Sequence, residues 1–261
     1  MTTPDPAKPT PYAPSPALVA AVRRIGDVFA GHVSRGETGC GYCHAESDVA
    51  LLRVPDVPLT RDAVSYFLHE VPSHYDDHPA VMRRLLPQVA EGLAEGWLHA
   101  WGHFLAGLGA SGWRDWPADQ AAALAGFLDA WWTDTLAAEQ PVQDAGDVFE
   151  CCVTVHSTVT PYLARWAEQP LGGPADAHLD AYLSTYIDDL IGDEPTVFGS
   201  WTDSTREEPV NELRAWVREN APARLRACGA DPMLRFKTGL LDLPYEDRWT
   251  DEIWDRAPAT S

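Results

Sequence analysis

The chain has 261 residues and carries 39 Asp and Glu against 19 Lys and Arg, a formal net charge of −20 with histidine neutral. An apolar share of 45% is enough for a sizeable core and excludes general disorder. An acidic excess of this size, with no local basic patch to offset it, repels phosphate backbones and anionic lipid, so the expected partners include neither nucleic acid nor membrane.

Residues 1–15 hold Pro4, Pro6, Pro9, Pro11 and Pro14, too many for a helix or a sheet ladder, and are expected to form a disordered arm. Ser15 followed by Pro16 reads as an N-cap and first helical residue, and Leu18, Val22, Ile25 and Phe29 recur at helical spacing, which predicts a helix over about 16–32. A glycine-rich loop follows around Cys40, Tyr42, Cys43 and His44. Thr60 is placed to cap a helix through Val64, Phe67 and Leu68, and a further helix starts at about Pro79, kinked or restarted at Pro87. Trp97, Trp101, Phe104, Leu105 and Leu108 suggest another, and Trp116 and Pro117 open an alanine-rich helix with Leu124, Phe127, Leu128, Trp131 and Leu136 on one face. The run 148–160 is rich in β-branched residues, so a strand competes there, but its helical neighbours favour helix. Leu179, Leu183, Ile187 and Leu190 mark the next helix; Pro209 marks the start of another with Leu213, Trp216 and Val217; two short ones are expected near 232–241 and 246–256. About ten helices without a strand meander predict an all-α fold, a single irregular helical array or bundle over 16–261, with a sub-boundary at 140–147 or 169–174.

No stretch of 18 apolar residues occurs, and the N-terminus lacks the basic and apolar regions of a signal peptide, so the expected compartment is the cytoplasm. The five cysteines, Cys40, Cys43, Cys151, Cys152 and Cys228, are odd in number and sparse, and are expected as thiols or metal ligands. Cys40 and Cys43 stand at C-x2-C spacing, which lets two sulfurs grip one face of a tetrahedral metal. His44 directly after them completes the string used for c-type haem attachment, but that chemistry requires export, so haem is not expected. A zinc site using Cys40, Cys43 and His44 would need a further ligand; a redox pair and a plain structural pair in a turn remain open beside it. A second constellation is His74, Asp77, His99 and His103. His99 and His103 are four apart on the predicted helix, with Glu95 one turn earlier, while Asp76 or Asp77 serves equally well as the cap of the helix that Pro79 opens. Cys151, Cys152 and His156 lie in an apolar run and read as core residues. No G-x-S-x-G, P-loop, G-x-G-x-x-G or H-E-x-x-H string is present, which removes the common hydrolase, nucleotide-binding and zinc-protease readings.

The acidity is concentrated. Between Pro141 and Glu208 stand 13 Asp and Glu against Arg165 and Arg206, a net −11. That surface suits a basic protein partner, with Asp188, Asp189, Asp193 and Glu194 as candidate contacts. The expected function is therefore that of an acidic interaction module without a resident cofactor. The alternative is a zinc-binding protein or metal-dependent enzyme at the C-x2-C loop or the His/Asp cluster.

Several segments are familiar together: Cys40-Gly-Tyr-Cys43; Leu51 and Leu52; Leu59, Thr60, Val64 and Phe67; Arg84-Leu85-Leu86-Pro87; and the tracts Gly112 to Pro117 and Phe127 to Trp132. On these, residues 40–136 resemble a bacterial family of uncharacterised helical proteins. Arg84 departs from the pattern, since the family tends to place Arg after the proline, where this chain has Gln88. The resemblance implies a helical fold and a C-x2-C pair in which the following histidine is not a recurring element. It assigns no activity.

Overall fold

The computed structural model describes residues 12–101, 105–192, 196–198 and 203–258, and among them every regular element is helical. In chain order these are α1 (Pro16–Phe29), α2 (Glu46–Leu52), α3 (Arg61–His69), α4 (His78–Glu95), α5 (Ala106–Gly109), α6 (Ala118–Ala137), α7 (Ala145–His156), α8 (Thr160–Ala167), α9 (Pro174–Ile191), α10 (Asp203–Ala227), α11 (Pro232–Gly239) and α12 (Asp251–Trp254). The fold is all-α, as the apolar periodicity predicts.

Local chemistry sets most of the starts. Ser15 Oγ accepts from Leu18 N, Thr60 Oγ1 from Ala63 N, and Asp77 Oδ1 from Ala80 N, each satisfying one of the amides that a helix N-terminus leaves without a partner. Pro16, Pro161, Pro174 and Pro232 lie in first turns, where a missing N–H costs nothing. Of the segment 148–160, residues 148–156 are helix and a left-handed Ser157 ends it: α7 is capped by Asp144 and buried along nearly its whole length, so packing overrides the β-branched preference.

Packing then orders the helices. Helix α1 lies against both α4 and α6; α6 also meets α7, α8 and α9; and α9 is flanked by α10 and α11. The buried apolar side chains form one cluster running from Leu18 to Leu241. At its centre Trp132, Phe149, Trp166 and Tyr182 meet at tilted and edge-on angles with centroids 5.1–6.1 Å apart. Burial of indole is tolerated there because the N–H groups find carbonyls: Trp132 Nε1 donates to Tyr162 O and Trp166 Nε1 to Ala175 O, each at 3.0 Å. Cys151 and Cys152 are fully buried in this core, as expected of thiols in an apolar run. A buried ion pair, Asp176 with Arg224 at 2.7 Å, ties α9 to α10; the guanidinium also donates to Ala167 O and Gln169 O, and the carboxylate accepts from Gly172 N.

Four expectations need correction. Residues 97–101 are not helical, and of the helix expected through Leu108 the described residues form only α5. Helix α4 stops at Glu95 because Gly96 takes a left-handed cap (φ 79°), and the Gln143 side chain then claims the backbone of the next residues, donating to Leu93 O and Leu98 O and accepting from Ala100 N. Pro87 does not restart α4, which runs unbroken through it. Pro209 is not a start, since α10 begins at Asp203 and passes through both Pro209 and Pro222. Finally, residues 12–15 of the expected disordered arm are held in place: the Tyr12 hydroxyl and Ser15 N both donate to Asp134 on α6. Residues 1–11 lie outside the described residues. Helices α2 and α8, seven and eight residues long, carry no sequence expectation.

Candidate metal centre

The C-x2-C loop sits between α1 and α2, and a buried carboxylate frames it. Glu37 is fully buried, and its side chain accepts from Ser34 Oγ, Gly39 N, Asp76 N and Asp77 N at 3.0–3.3 Å. Four donors satisfy the buried charge and fasten the loop to the start of α4, some forty residues away in sequence. Asp76 repeats the link from the other side, accepting from Thr38 N at 2.8 Å and from Thr38 Oγ1 at 2.7 Å; these two bonds hold its carboxyl below the ordinary value. Gly39 is required at the entry to the motif. Its φ is 66°, and a Cβ there would come within 2.8 Å of Val49 Cγ2.

Beyond Gly39 the chain closes a single turn, with Cys43 N and His44 N both donating to Cys40 O at 3.1 Å. That turn puts Cys40 and Cys43 on the same side, the first half-buried and the second exposed. His74 reaches the sulfurs from a 3-10 turn, Pro72–His74, between α3 and α4. Its Nδ1 lies 3.5 Å from Cys43 Sγ, and one donor atom from each of Cys40, Cys43 and His74 falls within 4.8 Å of the others. Among the described residues these are the three whose ligand atoms converge in this way.

Glu70, at the C-terminal cap of α3, completes the surroundings. Its Oε1 is 2.9 Å from His74 Nδ1, and its Oε2 is 3.7 Å from His44 Nε2. Burial alone would raise the Glu70 carboxyl, but the Val71 N–H, the Cys43 thiol and the two imidazoles together hold it below its usual value. Within the thiol pair the protons are unequally held. Donation to Cys40, partial burial and the Glu70 charge push Cys43 up to about 12, while the Tyr42 N–H, then the Cys43 thiol and N–H, lower Cys40. The ring of His44 is buried between Phe67, at 4.7 Å, and Tyr75, at 6.0 Å, and Tyr75 is itself fixed by donating its hydroxyl to Phe67 O.

The structure therefore draws two members, Cys40 and Cys43, from the first predicted constellation and one, His74, from the second. Cys40 and Cys43 keep their pairing, but the imidazole beside them belongs to His74, and His44 stands behind Glu70. Asp77 is the cap of α4, with its side chain bonded to Ala80 N. His99 is exposed on the irregular stretch after α4, so Glu95 and His99 do not share a helical face; His103 lies outside the described residues. Glu70 carries no sequence expectation at all, although Glu70 and His74 stand four apart. In the acidic half, Asp188 pairs with Lys237 at 2.7 Å and Asp189 accepts from Thr196, while Asp193 and Glu194 lie outside the described residues. No described helix is long and apolar enough to cross a membrane. Comparison with family models, with curated proteins and with solved structures finds no match, so the family resemblance of residues 40–136 rests on the quoted residues alone.

Proposed function

We propose that this chain is a metal-binding helical protein in which Cys40, Cys43 and His74 hold one divalent transition-metal ion, with the Glu70 carboxylate as fourth ligand. The observation that carries this reading is the convergence of two thiols and an imidazole from separate segments within 4.8 Å. Two sulfurs, one nitrogen and one oxygen suit zinc, which favours tetrahedral coordination by such donors. The choice of Glu70 follows from His74. Its Nδ1 faces both Cys43 Sγ and Glu70 Oε1, and a nitrogen that gives its lone pair to a metal cannot also donate a proton to the carboxylate. An ion that replaces the protons of this network meets Glu70 Oε1 where the hydrogen bond had been. His44 Nε2 stands 3.7 Å from the other carboxylate oxygen and makes no hydrogen bond to it. Four protein ligands close the coordination sphere, so the ion's role is to fasten residues 39–45 to the junction of α3 and α4.

Cobalt substitution tests the assignment. The expected result is one equivalent of tightly bound cobalt with the intense visible bands of a tetrahedral thiolate site, lost in Cys43→Ser and shifted in Glu70→Gln. A folded chain that takes up neither zinc nor cobalt would overturn it.

A second reading keeps the acidic stretch 141–208 as a docking face for a cationic protein. Its support is the net charge of −11, although Asp188 and Asp189 already bond within the chain. Partner capture that weakens with added salt would favour it, and capture indifferent to salt would remove it.

A further inference from the structure

We propose that the metal site is redox-gated: a peroxide converts Cys40 and Cys43 to a disulfide and the ion leaves. This rests on the metal reading above and concerns the regulation of the same site.

Three features support it. Access is the first, because Cys43 is exposed and its neighbour Tyr42 is 98% exposed, so a small oxidant reaches the sulfur without any opening of the fold. Geometry is the second. The turn closed by Cys43 N and His44 N on Cys40 O belongs to a class whose first and fourth Cα atoms lie under about 7 Å apart, close to the ~4.4–6.8 Å that a disulfide spans, so the bond asks for a local adjustment and no movement of a helix. Stoichiometry is the third: the site has only two sulfurs, and one two-electron oxidation removes both. What remains is His74 and Glu70, too few ligands to hold a zinc ion firmly.

The chemistry balances with hydrogen peroxide as oxidant. In the zinc-loaded site, where the ion would have replaced the thiol protons, the Cys43 sulfur attacks the peroxide, an S–O bond forms as the O–O bond breaks, and the departing hydroxide takes a proton from solvent to become water. The Cys40 thiolate then attacks the Cys43 sulfur, the S–S bond forms, and the second hydroxide leaves with a second proton. Cys40 is well placed for that step, since the turn that Cys43 N and His44 N close on its carbonyl brings the two cysteines together. The frame outlasts the metal, because Glu37 and Asp76 anchor the loop through bonds that involve neither cysteine.

The test uses the full chain carrying Cys228→Ser, which removes the other exposed thiol, loaded with zinc. Peroxide is added while a metallochromic dye reports free zinc and denaturing thiol titration reports cysteines. One zinc should appear for every two thiols lost, with a mass lower by two hydrogens, and a dithiol reductant should restore zinc binding. Retention of zinc under peroxide, or release accompanied by sulfinic acid and no disulfide, would overturn the proposal while leaving the metal site standing. A chain that never loads zinc sinks the metal reading, and this one with it.

Discussion

Replacing Glu150 with glutamine should stabilise this protein at neutral and alkaline pH and leave it unchanged in acid. Glu150 lies on α7 with 7% exposure; it accepts from the Tyr186 hydroxyl, while its Oε1 has no partner, and the nearby Tyr182 hydroxyl is equally buried and unpartnered. Burial, with the charge of Asp147 adding to it, raises the carboxyl from 4.5 to about 7. Because the folded-state value lies above the unfolded one, the two states bind protons alike below about pH 4. Between pH 4.5 and 7 the unfolded chain loses its proton first and stability falls; above 7 the penalty is constant. At about 1.4 kcal/mol for each tenfold in proton affinity, it amounts to roughly 3 kcal/mol. Glu150→Gln removes the charge, keeps an acceptor for Tyr186 and supplies donors toward the unpartnered oxygens. Thermal unfolding of both proteins from pH 4 to 9 should show melting temperatures that coincide in acid and diverge by roughly 6–9 °C above pH 8. A difference that stays flat across the range would refute the reasoning, because every other titrating group is common to both chains.

Further outcomes follow from the same structure. Asp176→Asn leaves the Arg224 guanidinium charged and buried, so urea unfolding should show a loss of about 3–5 kcal/mol; a loss under 1 kcal/mol would mean the pair is wetter than its burial implies. Gly39→Ala forces a side chain into a left-handed backbone against Val49, and zinc affinity should drop at least about tenfold while the helical circular dichroism is kept. Chelation of zinc should raise hydrogen exchange in residues 39–45 and leave α6, α7 and α9 protected; global loss of helix on chelation would show that the ion supports more than the loop.

The helices were readable from the sequence where a cap or a first-turn proline coincides with apolar periodicity, as at Ser15, Thr60 and Asp77. Periodicity without such punctuation misled. Trp97, Trp101 and Leu105 keep helical spacing, yet Gly96 and the distant Gln143 side chain dictate an irregular path, and a contact across almost fifty residues leaves no local trace. Pro209 misled in the opposite sense, since a proline marks a start only when nothing upstream extends the helix. At the site, the spacing of Cys40 and Cys43 was legible because both lie in one turn. His74 was visible as a member of a different cluster, and Glu70 was not visible at all: only the fold of α3 onto the loop brings it to the thiols.

The four bonds that Glu37 accepts also bear on the order of assembly. Two of its donors, Asp76 N and Asp77 N, belong to the start of α4, so the C-x2-C turn takes its shape only after α3 and α4 have docked beneath it. Closing that span costs chain entropy that the local turn cannot offset by itself. Changes to Glu37 are therefore expected to hasten unfolding far more than they slow folding, and stopped-flow refolding and unfolding of Glu37→Gln checks this.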